Sequence, residues 1–490
     1  MNLLAGEPAH GALRRAAVHA LYVAQETAAR VPAYARFLRL AGYEPACLRT
    51  LDDFRRLPLT DQASYLTRYP LEERCRAGAL AHPHTVALGA GGAATPLLWP
   101  RFPEQDRALL HACGALLQEH ASFRQRWTLL LVVVPVGTWV SGLPLAELAP
   151  RLFAEQEVRG AAVTPGLSVE DTLHHVGQLG RHYDQVVLAG APATLTEVLE
   201  AGARSGLDWS ALHTGLLLLG EDATETQRER LLARIGRGPD QLQGLCGLYS
   251  SLEAGGLVGH ETVLCRLVRR LCARDPALAR ALFGNARLPL LVQYDPFRHF
   301  LEVHEGTLVL TTRGGMPLVR YHTRERGGLL DFDELLARCR AHGHDLLAAL
   351  GRRGLGPATV RPLPFVYTYG RADAVSVRGA LVSAEQVRAI LQRPALHAAL
   401  SGRCHLQADT EPDGRTVLRV AVELRPGVAP REELRRLYHY TLLRELRRRN
   451  PEFGGVYTAA TGRVALDLLL VPHDHASRAP TSTAVAAPAA

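Results

Sequence analysis

Three runs of unbroken apolar residues in the middle of the chain limit the fold more than any other feature. Leu129–Val136, Gln185–Gly190 (QVVLAG) and Leu216–Gly220 (LLLLG) lack the polar alternation of a strand with one wet face. Each must therefore be covered on both sides, as strands of a buried sheet are. Helix signals lie between them. Thr194 and Glu197 have capping-box spacing with a glycine stop at Gly206, and Thr224 and Gln227 open a helix that ends at Gly236. Buried strands alternating with capped helices predict an α/β sheet flanked by helices. After Phe297 the pattern turns antiparallel: Leu301–Thr312 reads as a hairpin and Pro317–Thr323 as a strand.

Residues 331–353 read as a single inserted helix, followed by a Gly/Pro/Arg-rich linker to Pro364. A compact second unit follows, with strands at Ala374–Val377, Val417–Leu424 and Val464–Val471 and helices at 383–392 and 430–449. The expected division is a large N-terminal domain, 1–368, a small α+β domain, 369–473, and an Ala/Pro/Ser/Thr-rich tail, 474–490, too poor in apolar residues to order.

All 56 basic residues among the 490 are arginine, and the chain has no lysine. Chemistry that needs a side-chain amine is thereby excluded: Schiff bases, PLP anchoring, the P-loop lysine and a kinase-type strand lysine. The net charge of +8 is dispersed apart from Arg431–Arg449. There Leu434, Leu437, Tyr438, Leu442 and Leu446 recur at helical spacing, which predicts a helix with one buried and one solvated face. No nucleic-acid-binding motif accompanies it, and no nucleic-acid partner is expected. The eight cysteines form no CxxC. Cys246, His260, Cys265 and Cys272 fit no compact zinc spacing, so zinc is not expected and buried thiols are. Arg14 and Arg15 precede an amphipathic pattern, not an apolar leader, and Leu129–Val136 is too short to span a bilayer. A cytoplasmic chain without membrane contact is expected.

Several short segments occur in an informative order. A loop of small residues, Gly89-Ala90-Gly91-Gly92-Ala93-Ala94-Thr95-Pro96, would let backbone N–H groups approach a phosphate. Gly220-Glu221 ends a strand, and Tyr249-Ser250-Ser251-Leu252-Glu253 follows. Pro317–Glu325 (PLVRYHTRE), Gly370-Arg371-Ala372-Asp373, Arg378-Gly379 and Thr461-Gly462-Arg463 complete the series. With Val31–Asp61 (VPAYARFLRL…LPLTD), this set resembles the phenylacetate–CoA ligase-like branch of the adenylate-forming superfamily, which includes acyl-CoA synthetases and adenylation domains, over roughly residues 30–470.

The resemblance implies the adenylate-forming enzyme fold, a large N-terminal domain with a small lid that rotates about a hinge. It implies activation of a small carboxylic acid by ATP and Mg²⁺, an aromatic acid of specialised metabolism such as antibiotic biosynthesis being expected. CoA or an acidic carrier protein would accept the acyl group. Carried over by position, Gly91, Gly92, Thr95, Gly220, Glu221, Tyr249, Glu325 and Arg371 would hold the nucleotide. Glu253 would ligate Mg²⁺ and take part in catalysis, Trp139 and Gly142 would wall the acyl pocket, and Arg463 would stand where the superfamily has its catalytic lysine. Departures are visible: the phosphate loop lacks its hydroxyl pair and lysine, the α-phosphate threonine is Leu252, and the ribose-binding aspartate is Glu325. Two alternatives stay open. One is a non-catalytic relative that binds nucleotide or acyl ligand as a partner protein. The other is transfer to a thiol or amine without ATP.

Overall fold

The computed structural model describes residues 9–78, 80, 83, 85–89, 97–135, 143–155, 158–220, 222–238, 241–356, 359–371, 373–391, 396, 399–411, 413–460 and 462–473. An antiparallel pair, β1 (Thr85–Gly89) and β2 (Leu97–Arg101), flanks a sheet of eleven strands. In chain order these are β3 (Thr128–Val133), β4 (Gly160–Val163), β5 (Gln185–Gly190), β6 (Gly215–Leu218), β7 (Leu245–Ser251), β8 (Gly256–His260), β9 (Leu290–Tyr294), β10 (His299–His304), β11 (Thr307–Thr312), β12 (Leu318–Leu330) and β13 (Phe365–Arg371). Their spatial order is β10-β11-β12-β13-β9-β8-β7-β6-β5-β3-β4. The β4-β3-β5-β6-β7 part is parallel, and the remainder is antiparallel.

Period-two alternation divides the parallel strands between two apolar layers. Leu130 and Val132 pack under the helices Pro103–Ala121 and Leu143–Glu155. Leu129, Leu131 and Val133 pack against Val169–Leu179 and Pro192–Arg204 on the other face. The unbroken apolar runs are thus explained, since both faces of these strands are covered.

The helix signals divide. Thr224 and Gln227 form the capping box expected of them. The helix expected from Thr194 begins earlier, with Pro192 in its first turn and Ala191 as its N-cap. Proline suits that place because its missing N–H would go unpaired there in any case. Thr194 is therefore internal, with its hydroxyl buried and unpartnered among the described residues. Residues 331–353 form two helices, Phe332–Ala341 and Leu346–Gly351. Gly343, at a φ of +82°, breaks the first, and Asp345 caps the second by accepting from the Ala348 N–H at 3.0 Å.

Beyond β13, β14 (Ala374–Val377) pairs with β15 (Ala380–Ser383), and β16 (Leu400–Thr410), β17 (Thr416–Leu424) and β18 (Val464–Val471) form a three-stranded sheet. Side chains between Val377 and Leu470 close around a core of their own. On the basic helix, Glu432–Arg449, Tyr438, Leu442 and Leu446 are buried as expected, but Leu437 is exposed. No helix among the described residues is long and apolar enough to cross a membrane.

One buried charge cluster joins the elements that border the site. Glu261, 1% exposed, accepts from Arg228 at 2.5 Å and from the backbone N–H of Gly247 at 2.7 Å. Arg269, also buried, donates to Asp222 at 2.9 Å, to Glu225 at 3.0 Å and to the carbonyls of Pro289 and Ala223. Burial alone would raise the pKa of Glu261, but Arg228 and Arg269 outweigh it and hold the carboxyl below its ordinary value. Its stabilising contribution is present above the unfolded-state pKa and is lost as pH falls through the folded one. Glu261→Ala leaves two buried guanidinium groups short of a partner. We expect it to lower unfolding free energy by about 3–5 kcal/mol, measured by urea denaturation near neutral pH.

Candidate active site

A cavity of about 1000 Å³ opens where the parallel strands end and the C-terminal unit meets the sheet. It brings together Gly220, Tyr249, Glu253, Glu325 and Arg371 from separate parts of the sequence. Strand β7 supplies Tyr249, and Glu253 follows in the turn to β8. Glu325 and Arg371 face each other as register partners on β12 and β13. The C-terminal unit adds Arg378, Gly379 and the Leu406–Thr410 part of β16 to the wall.

Glu325 is the most perturbed carboxyl in the site. Burial and the charge of Glu253 push it up to about 7, against hydrogen bonds from Tyr249 and Thr368 and the nearby Arg371. The Thr368 hydroxyl donates at 3.3 Å. Burial disfavours the charge of Arg371, but Asp373 more than offsets it and raises the guanidinium pKa. Their contact is bidentate, Nε to Oδ1 at 3.0 Å and Nη2 to Oδ2 at 3.2 Å, which leaves the two N–H groups of Nη1 and the second of Nη2 to serve a ligand. A second arginine, Arg324, reaches the same aspartate at 3.3 Å. The cavity therefore holds an oriented cation, a carboxyl poised near neutrality and a second carboxylate, Glu253.

Two glycines fix how closely the C-terminal unit approaches. Gly220 has a φ of +79°, and a Cβ there would lie 3.0 Å from the Cα of Gly379. Leu252 turns away from a phosphate-binding role. Its side chain packs on β1, where a Cβ on Gly89 would lie 2.0 Å from the leucine Cδ2.

Arg463 is placed outside the cavity. Its Nε contacts the Glu197 carboxylate at 3.2 Å, and the same carboxylate accepts from Arg378 Nη2 at 2.5 Å. Glu197 was expected to cap a helix; it instead joins two arginines of the C-terminal unit to the N-terminal one. Of the other candidate residues, Gly91, Gly92, Thr95, Glu221, Trp139 and Gly142 lie outside the described residues. Thr368 carries no role in the sequence reading and Glu197 only that of a helix cap, because their partners here lie 43 and 181 residues away. Only Asp373 had a local sign, in Gly370-Arg371-Ala372-Asp373.

No protein-family model matches the sequence, and no curated protein matches it. Solved structures do. The 2-hydroxyisobutyryl-CoA ligase in complex with 2-HIB-AMP and CoA in the thioesterification state aligns with a TM-score of 0.61 at 15% identity, over 97% of this chain and 89% of that one. The fold is that of the adenylate-forming ligases. The same ligase with 2-HIB-AMP in the postadenylation state gives 0.50 at 16% identity, over 98% and 89%. Its open conformation with 2-HIB-AMP and CoA gives 0.50 at 15%, over 97% and 91%. In this adenylate-forming fold the cavity lies between the large N-terminal sheet and the smaller C-terminal one.

The raised pKa of Glu325 predicts a pH dependence. Folded Glu325 keeps its proton up to about 7, whereas the ordinary value is 4.5. Between those values the native state binds more protons than the unfolded one, so stability falls as pH rises across the interval. Thermal unfolding followed from roughly pH 5 to pH 8 should show that loss in the parent protein and a flatter profile in Glu325→Gln.

Proposed function

We propose that the protein is an acid–thiol ligase. It activates a carboxylic acid with ATP as an acyl adenylate and passes the acyl group to the thiol of CoA or of a carrier protein. The observation that carries this reading is the joining of Glu253, Glu325 and Arg371 in one cavity of an adenylate-forming fold. In the first step a carboxylate oxygen attacks the α-phosphorus, and its bond to the pyrophosphate oxygen breaks. Two anions must meet there, so cations have to hold them in line. Arg371, oriented by Asp373, is one such cation. Glu325 in its ionised form would accept from the ribose hydroxyls. Glu253 offers Mg²⁺ the hard oxygen ligand it prefers, and the ion when bound neutralises phosphate charge. In the second step a thiolate attacks the acyl carbon and AMP departs with the carboxyl oxygen.

The position of Arg463 fits the second step. One ligase aligns better in its thioesterification state than in its postadenylation state, 0.61 against 0.50. That supports a lid held here in the thioester-forming arrangement by Glu197, with Arg463 withdrawn from the cavity. Lid rotation would bring Arg463 to the carboxylate and α-phosphate for adenylation, as a guanidinium doing the electrostatic work of an ammonium.

ATP–pyrophosphate exchange across a panel of acids, followed by thioester analysis with CoA, tests the reading. Exchange with at least one acid is expected, and ATP binding without exchange on any acid would favour a non-catalytic binding protein instead. Arg463→Ala should lower exchange by about 100-fold or more with ATP binding retained. Glu197→Ala should slow thioester formation from preformed acyl adenylate by about tenfold while exchange persists, because it releases the lid from only one of its two positions.

A further inference from the structure

The acid implied by the resemblance is aromatic; the described part of the cavity has a different chemistry. From Glu253 the lining continues through Leu252 and Ser250 to Leu248, and then passes beneath the helix Pro103–Ala121. Leu109, Cys113, Leu116 and Leu117 line it from above at helical spacing, along about 12 Å of helix axis. Leu130, Val132, Ala189 and Leu217, on one face of β3, β5 and β6, line it from below. Among the described residues this arm carries no charged and no aromatic side chain. Beyond Ser250 at its mouth, the one side-chain heteroatom among these described residues is the Cys113 thiol, which is pushed up to about 11 by burial and stays neutral.

The arm is hollow for a local reason. Cys113, Ala149 and Ala189 are small where neighbouring positions in the same layer carry leucine, valine or phenylalanine. The opposite layer, against the same strands, is filled by Leu129, Leu131, Leu188 and Leu195. An empty apolar hollow destabilises a fold in proportion to its volume, and such hollows stay dry and accept apolar ligands. We infer that this arm is the acyl site and that it takes an unbranched aliphatic acid of medium to long chain, its tail lying between the helix Pro103–Ala121 and the sheet. The carboxylate then projects towards Leu252 and Glu253. This rests on the ligase reading for the chemistry at the carboxylate; the shape and apolarity of the arm stand without it.

The test pairs binding with turnover. Calorimetric titration of butanoate, hexanoate, octanoate, decanoate and dodecanoate, against benzoate and phenylacetate, needs no catalysis. Affinity should climb about fourfold per added methylene until the arm is full. The kcat/KM for exchange should climb in parallel and exceed that of either aryl acid. Ala149→Phe and Ala189→Phe, which fill the hollow, should each move the preferred acid to a shorter chain, and Leu117→Ala should move it to a longer one. Tight binding of decanoate without exchange on any acid would uphold the aliphatic site and overturn the ligase reading. Exchange favouring an aryl acid, with no dependence on chain length, would overturn the aliphatic assignment and leave the ligase reading standing. Failure of every acid both to bind and to exchange overturns the two together.

Discussion

The site depends on the buried ion cluster of Glu261, Arg228 and Arg269. Glu261 holds the start of β7 through Gly247, and Arg269 holds Asp222, Ala223 and Glu225 behind the loop that follows β6. These two segments form adjacent walls of the cavity, and Asp222 and Thr224 are themselves part of its lining. A lysine could not replace Arg269. Four acceptors surround that side chain in different directions, and a planar fork with five N–H groups reaches them where a single ammonium would not. The all-arginine composition is therefore more than an exclusion of amine chemistry. In the interior it supplies rigid, multivalent donors that tie loops to strands.

From that frame the cavity divides into two chemically opposed regions. Charged and hydrogen-bonding groups gather where β7, β12 and β13 meet the C-terminal unit, and there Glu325 and Arg371 are adjacent only through strand register. Aliphatic groups gather on one face of the parallel strands, and the hollow exists because three positions in that layer are small. Both regions follow from the same sheet. Alternation along each strand decides which layer a side chain enters, and the change from parallel to antiparallel order at β7 brings the charged strands alongside.

Three strands of the parallel half, β3, β5 and β6, were legible in the sequence because their signal is local, whereas β4 and β7 were not read as strands. QVVLAG coincides with β5, and Thr224 and Gln227 cap the helix their spacing implies. Val464–Val471 likewise coincides with β18. The errors arose where a distant partner outweighed a local pattern. Thr194 and Glu197 have capping spacing, but Pro192 starts the helix sooner and Glu197 is taken by arginines far along the chain. Leu437 follows the apolar spacing of its helix and is exposed all the same, because the sheet of β16, β17 and β18 covers a narrower face than the pattern suggests. At the site, Glu253, Glu325 and Arg371 were legible as residue types in order. Their proximity was not, since it is set by strand pairing. The long N-terminal motif shows the same limit: Thr60 donates its hydroxyl to Val319 at 2.9 Å and bridges Tyr321, so two segments read separately become one structure.

Arg463 makes the last connection between composition and mechanism. A lysine at that position would offer Glu197 a compact, strongly hydrated charge on a flexible stem. The guanidinium is planar and more weakly hydrated, and beside Arg378 it can share one carboxylate while the lid lies over Gly220. An arginine here is thus suited to a shared carboxylate at the domain junction and, on the ligase reading proposed above, to the anions of the cavity. The contact with Glu197 is partly exposed, and such pairs are individually weak. The Arg463 contact therefore costs little to release, whereas the Arg378–Glu197 pair, with its arginine 3% exposed, is closer in kind to the Glu261 cluster. The Glu261 cluster thus ties the walls of the cavity together, and Glu197 ties the C-terminal unit to the sheet through one buried arginine and one partly exposed one.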